Sequence, residues 1–427
     1  MSSPELKAAV GLSRKWDARE AGRELVNKTL ERLEGAKPNF FLLFPTIHYA
    51  NHGGFKELLN GVWDVLPKKT PLVGGTVMGF INNMGCFTRG VTGLAVSYPN
   101  MDVAVGVGHN TKRSPATAAK SCVELIKNGL KNSKYKNKFL FDMISGTEIP
   151  SMPGMGRKAV IPSDLMGKFA TKMLGVSEVI LQKGFGNEEE ILEEMLNELD
   201  DYSIIHGSSL DVSLAKNYQF LGDKVLTDSI VSLGVSSDLN VNLSFASRAN
   251  LTKKFKVTKI SKDRRVIHEI DGKPASEKLL ELVGWKGKFP TDRQFTFGIT
   301  TYFPICFISD GKNFLRPVVG ILGGSILLMS KFESNEGYVA LISGKNMIDS
   351  LDDILTDEMA ADFGILSSCA VRLMGLGGEV FAIREKLMKY FKDKPFILVN
   401  CAGEAVRKPN DRIYYLNESI ALGLIGR

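Results

Sequence analysis

The chain has 427 residues, of which 44% are hydrophobic and 24% charged. That composition excludes a disordered chain, and the length allows two or three domains with ample core. A net charge of +7 is too diffuse over such a surface for nucleic-acid binding. The basic runs at 127–138 and 253–265 lack interleaved aromatics and a groove motif, so they read as solvated faces. The five cysteines (Cys86, Cys122, Cys306, Cys369, Cys401) form no C-x-x-C, which leaves no zinc ribbon or disulfide framework and fits a reducing cytoplasm. The opening MSSPELKAAVGLSRKW has no apolar h-region, and VVGILGGSILLM (318–329) is short and glycine-broken. A cytoplasmic protein with no membrane partner is expected.

In chain order, Asp17 and Glu20 form the signature of a helix start. Ala18, Ala21, Leu25, Leu30 and Leu33 keep one apolar side, and Gly35 closes the helix. NFFLLFPTIHY (39–49) reads as a buried strand. Phe55, Leu58, Leu59, Val62, Trp63 and Leu66 mark a second helix, and TPLVGGTVMGFI (70–81) a glycine-rich strand. Two more strands follow, at VTGLAVSY and MDVAVGVG. Ser114-Pro115 opens the next helix, lined by Ala119, Cys122, Val123, Ile126 and Leu130, before the strand KFLFDMIS (138–145). Residues 146–185 form a long connection with Pro150, Met152, Pro153 and Met155 near its start. Asn187 is expected to cap an acidic helix, and DYSIIHGSS repeats the glycine-containing strand.

The last third holds the most ordered pattern. FGILSS (363–368) is too short for a helix and reads as a buried strand, followed by Cys369-Ala370-Val371-Arg372 and a glycine-rich loop (Gly375, Gly377, Gly378). Val380, Ile383, Leu387 and Phe391 recur at helical spacing until Pro395. FILVN (396–400) is the second strand, ending in Cys401-Ala402-Gly403-Glu404. A strand, helix, strand crossover makes the two strands parallel. Both special loops then lie at the carboxyl ends of the strands, where open α/β sheets bind ligands. The order helix, strand, helix, glycine-rich strand occurs at 17–81, 114–208 and 346–404, which suggests an internal repeat. The fold class expected is α+β (mixed α/β): layered sheets with covering helices.

SSCAVR, FILVNCAGEAVR and the closing YYLNESIALGLI resemble the C-terminal half of FIST proteins. Cys369, Ala370, Arg372, Gly403, Glu404 and Asn417 stand at that half's marked positions. VTKISKDRRVIHEIDGKPASEKLLELVG resembles the segment closing the N-terminal half, Arg316 matches the family's arginine, and Glu336-Gly337 its later turn. The first unit departs from the pattern: Gly74-Gly75-Thr76 and Gly79-Phe80 stand where the family carries Gly-Cys-Thr and a later Gly-Glu. Residues 146–185 look like an insertion. The resemblance implies an N-terminal module over 1–284 and a C-terminal one over 285–427. It also implies a soluble signal-transduction module that binds a small ligand and signals to a protein partner. Its ligand-binding set would be Cys369, Arg372, Cys401, Gly403, Glu404, Asn417 and Arg316. An arginine fork suits a carboxylate or phosphate and a glutamate suits an amine, so a zwitterion such as an amino acid fits Arg372 and Glu404. The alternative is that these two side chains pair with each other.

Other readings stay open. Cys369 and Cys401 sit at strand ends, as nucleophiles of a thiol-dependent hydrolase would, yet no histidine follows His268. Haem-binding relatives exist, which keeps a haem-based gas sensor and a haem cofactor open, but nothing marks an axial ligand among His48, His52, His109 and His206. F-box-linked relatives suggest an interaction scaffold. His48 and His52 are four apart but follow a strand and lack a third ligand, so no metal site is assigned. No catalytic residue is assigned either.

Overall fold

A computed structural model describes residues 5–151, 158–211, 213–289, 298, 300–356 and 361–427. Three six-stranded sheets share one strand order. In the first, Lys7–Ser13 pairs antiparallel with Val91–Ser97, which pairs antiparallel with Phe40–Pro45; this in turn pairs in parallel with Leu72–Gly75. The second repeats the order with Met101–His109, Ser229–Ser237, Asn137–Ser145 and Ser203–Ser209. The third repeats it with Asn240–Ala246, Ile420–Gly426, Phe363–Cys369 and Phe396–Cys401. The threefold repeat expected from the sequence is therefore present, each copy containing one parallel crossover.

Each sheet is completed by a neighbour's hairpin. The strands Gln219–Leu221 and Lys224–Leu226, from the second unit, extend the first sheet. Glu404–Arg407 and Tyr414–Leu416, from the third unit, extend the second. Gly79–Asn82 and Gly85–Phe87, from the first unit, extend the third. The glycine-rich stretch 70–81 is thus two strands in two sheets, not one. Strands from both sides of residue 284 pair in three sheets, because Asn250–Ile260 also pairs with Glu336–Leu341 in a nine-stranded sheet. That sheet is inserted between the Asn240–Ala246 strand and the Gly344–Asp349 helix, and it takes up Val160–Ile161 from the 146–185 connection.

Strand periodicity explains the layers. Phe40, Leu42 and Phe44 point into a core shared by all three sheets, with Phe139, Phe141, Phe363, Ile365 and Val399. Phe41 and Leu43 point outward under the helices Ala18–Arg32 and Gly54–Trp63. Pro115–Leu130 and Glu188–Leu196 cover the second sheet in the same way, and Val380–Phe391 the third. Asp17 caps the first helix through Glu20 N at 2.8 Å. Asn187 does not cap its helix; its Nδ2 donates to the Thr111 and Lys112 carbonyls instead.

Candidate functional site

The three crossovers deliver three loops to one place. Met78 N donates to Asn400 O (2.9 Å), Leu210 N to Thr76 O (2.9 Å) and Ala402 N to Ser208 O (3.1 Å). Each unit donates to the next, so the three strand ends close a ring. In the third unit the helix Ala370–Leu376 begins directly after Cys369, where a glycine loop was expected. Val371, Arg372 and Leu373 carry it, and Gly377, at φ +50, ends it. Arg372 is therefore held on a helix, and Glu404 opens the strand that leaves the ring.

Around these two lies a closed polar cluster. Arg372, Glu404, Asn417 and Glu418 are each at most 3% exposed. Arg372 Nη2 donates to the Met347 carbonyl and to Ser350 Oγ, the latter at 2.9 Å. Glu404 Oε1 accepts from Ser419 N (2.9 Å) and Ser419 Oγ (2.6 Å), while Oε2 is buried without a partner among the described residues. Among the described residues, Arg372 and Glu404 form no ion pair within 4 Å of each other. Glu418 occupies a left-handed backbone position, φ +53, and neither of its buried carboxyl oxygens has a partner among the described residues. Asn417 Oδ1 accepts from Ser330 Oγ (2.6 Å), leaving Nδ2 buried and unpartnered among the described residues, as is Asn400 Nδ2.

Burial dominates the electrostatics. Desolvation pushes Glu404 up to about 8, against the Ser419 hydrogen bonds and the Arg372 charge. It also drives Glu418 well above the usual carboxylate range, opposed by Arg372 and reinforced by Glu404. Arg372 is lowered to about 10 by desolvation, with the two glutamates and Cys369 opposing. A cavity of about 10 Å³ touches Arg372, Ser368 and Asn400, about the size of one water. Burial thus favours the protonated form of both carboxyls, and ionising both beside the one Arg372 guanidinium would leave an excess negative charge for a cation to balance.

A model of the FIST N domain family matches residues 39–273, more than half of the chain. The chain belongs to that family. FIST domains are sensory signal-transduction domains, and the match begins in the first crossover and ends inside the nine-stranded sheet. No curated protein matches this FIST chain. Among solved structures, a cyanuric acid hydrolase from A. caulinodans aligns over 100% of both chains at 7% identity and a TM-score of 0.34. T. maritima PurL complexed with ADP aligns over 99% of this chain and 71% of its own, at 11% identity and 0.19. At such scores neither likeness carries a functional argument.

The FIST chain distributes the sequence-derived site residues unevenly. Cys369, Arg372 and Glu404 interact with Glu418, while Asn417, next to Glu418 in the chain, bonds to Ser330. Cys401 lies beneath the ring against Gly207, and a Cβ at Gly403 would come 2.3 Å from the Tyr415 hydroxyl. Arg316 belongs to a neighbouring group: Nε donates to the Lys331 carbonyl (2.7 Å) and Nη2 lies 3.8 Å from Glu189, which also faces Arg265. Burial raises both the Cys369 and Cys401 thiols well above their ordinary range, which disfavours thiolate. His206 is a satisfied core histidine, bonded to Asp142 through Nδ1 and to Ser208 Oγ at 3.0 Å through Nε2. Glu418 and Ser419 were missed from sequence. Their only signal was adjacency to Asn417.

Proposed function

We propose that this FIST chain is a cytoplasmic sensor that binds a small zwitterion, such as an amino acid, in the cluster of Arg372, Glu404, Asn417 and Glu418. In this reading the segment 285–427 acts as a C-terminal FIST module paired with the N-terminal one, and ligand occupancy is passed to a protein partner. The observation that carries it is the Glu418 carboxyl, buried with both oxygens unpartnered among the described residues. A buried polar group without a partner costs about 1–3 kcal/mol, and more when charged. A ligand ammonium would remove that cost at Glu418 and Glu404, while the Arg372 fork suits a ligand carboxylate. Ligand access requires the cluster to open, because the cavity beside it holds about one water. The thiol-enzyme reading loses ground because both buried thiols resist ionisation.

A thermal-shift screen of the twenty amino acids on the wild type and on Glu418→Gln tests this. At least one should raise the wild-type midpoint, by about 2.7 kcal/mol of stabilisation at a hundredfold excess over Kd. The Glu418→Gln protein should melt close to wild type, since a neutral amide of the same shape replaces a carboxyl that burial keeps protonated, yet respond to none of them. An equal response in both proteins would move the site elsewhere.

A further inference from the structure

Of the twelve large apolar side chains exposed among the described residues, six lie in one segment: Leu165, Met166, Phe169, Val176, Ile180 and Leu181. Five belong to the helix Asp164–Ile180, and Leu181 is its C-cap. At 100° per residue, Leu165, Phe169, Val176 and Ile180 fall within an arc of about 60°. They are far from grazing the surface: Leu165 is 79% exposed and Ile180 69%. The buried positions among its described side chains are Gly167, Ala170 and Ser177, with Met173 partly buried beside them. A Cβ at Gly167 would meet the Leu322 carbonyl carbon at 2.7 Å. A helix serving only to cover the Val318–Leu322 strand has no need of four large apolar residues on its outer face, yet Leu165, Phe169, Val176 and Ile180 stand there exposed.

Charge narrows what covers the ridge. Both acids of the helix are engaged by backbone: Asp164 Oδ1 accepts from Gly324 N (2.6 Å) and Glu178 Oε1 from Phe185 N (3.1 Å). Lys168 and Lys172 are exposed along one flank of the ridge and make no ion pair among the described residues. A second copy of the chain would bring these lysines against their equivalents. Hydrocarbon beneath anionic headgroups accepts both the ridge and the flank, since lysine stems lie along apolar surface while the ammonium stays at the interface.

We propose that the outer face of the helix Asp164–Ile180 docks this chain on an anionic lipid surface, lying in the interface with Leu165, Phe169, Val176 and Ile180 toward the acyl chains. No helix among the described residues is long and apolar enough to cross a membrane, so the contact is peripheral. It gives the protein a location independently of what the buried cluster binds.

The full chain, mixed with vesicles of phosphatidylcholine alone or with one third phosphatidylglycerol, tests this by co-sedimentation. Wild type should partition at least about tenfold more strongly onto the acidic vesicles. The double variant Phe169→Ser, Ile180→Ser should lose that binding, and Lys168→Gln, Lys172→Gln should weaken it about 30-fold. Thermal midpoints should not fall in either variant, since the altered side chains face solvent. Absence of wild-type binding to acidic vesicles, or equal binding to both compositions, overturns the proposal. So does light scattering that shows a vesicle-free dimer which the serine variant turns into monomer, because the ridge would then be covered by a second copy.

Discussion

Glu404 and Glu418 set the behaviour of the site, and only one of them was legible in the sequence. Arg372, Glu404 and Asn417 are marked by their order along FIST-like segments. Glu418 owes its place to a left-handed turn and to the elements packed over it, and no periodicity or motif spacing reports either. The Glu404 carboxyl, at about 8 in the folded chain and about 4.3 in an unfolded one, makes stability depend on pH. Between those values the native state holds the extra proton. Its contribution is full below the unfolded pKa and is lost as pH rises through 8. Thermal midpoints measured from pH 5 to pH 9 should therefore decline more steeply for wild type than for Glu404→Gln. Parallel profiles would mean that Glu404 does not titrate in this window.

Helices and strands with strong apolar spacing were readable because their burial follows their own period. Ala18–Arg32 and Val380–Phe391 carry the faces expected of them. Boundaries set by partners were not readable. Gly375, Gly377 and Gly378 read as a loop where the helix Ala370–Leu376 stands; Gly375 is there for close packing, since a Cβ on it would lie 2.9 Å from Met347 Cε. Close approach also governs the first helix pair. A Cβ on Gly22 would lie 2.3 Å from the Leu58 carbonyl oxygen, and one on Gly61 would lie 2.0 Å from that of Arg19. Gly61→Ala gains up to about 1 kcal/mol of helix propensity but overpacks backbone against backbone, at a cost of about 1–3 kcal/mol or more. The variant is expected to melt several degrees below wild type; an equal or higher midpoint would show that the helices separate without penalty.

At the scale of the molecule, the repeat was visible but its closure was not. Residue spacing shows three crossovers; it does not show that the hairpin after each one joins a different unit's sheet. The exchange is cyclic, so each unit lacks two strands when its neighbour is missing. A chain ending at residue 284 would retain only the strands Asn240–Ala246, Gly79–Asn82 and Gly85–Phe87 of the third sheet, and the second would lose Glu404–Arg407 and Tyr414–Leu416. The shared core would be open on one side. Such a truncated chain should show no cooperative thermal transition, whereas the full chain should unfold in a single one. A sharp transition in the 1–284 chain would establish that it folds without those pairings.

The central claim is that the buried carboxyls receive a cationic group, and proton exchange on binding tests it most directly. The amino acid that stabilises the wild type would be titrated calorimetrically at pH 7 in two buffers of different ionisation enthalpy. Glu404 is mainly protonated in the empty site at that pH, and an arriving ammonium favours its ionised form. The account predicts release of on the order of one proton per ligand bound. A binding enthalpy that is the same in both buffers, or one that reports proton uptake, would contradict it.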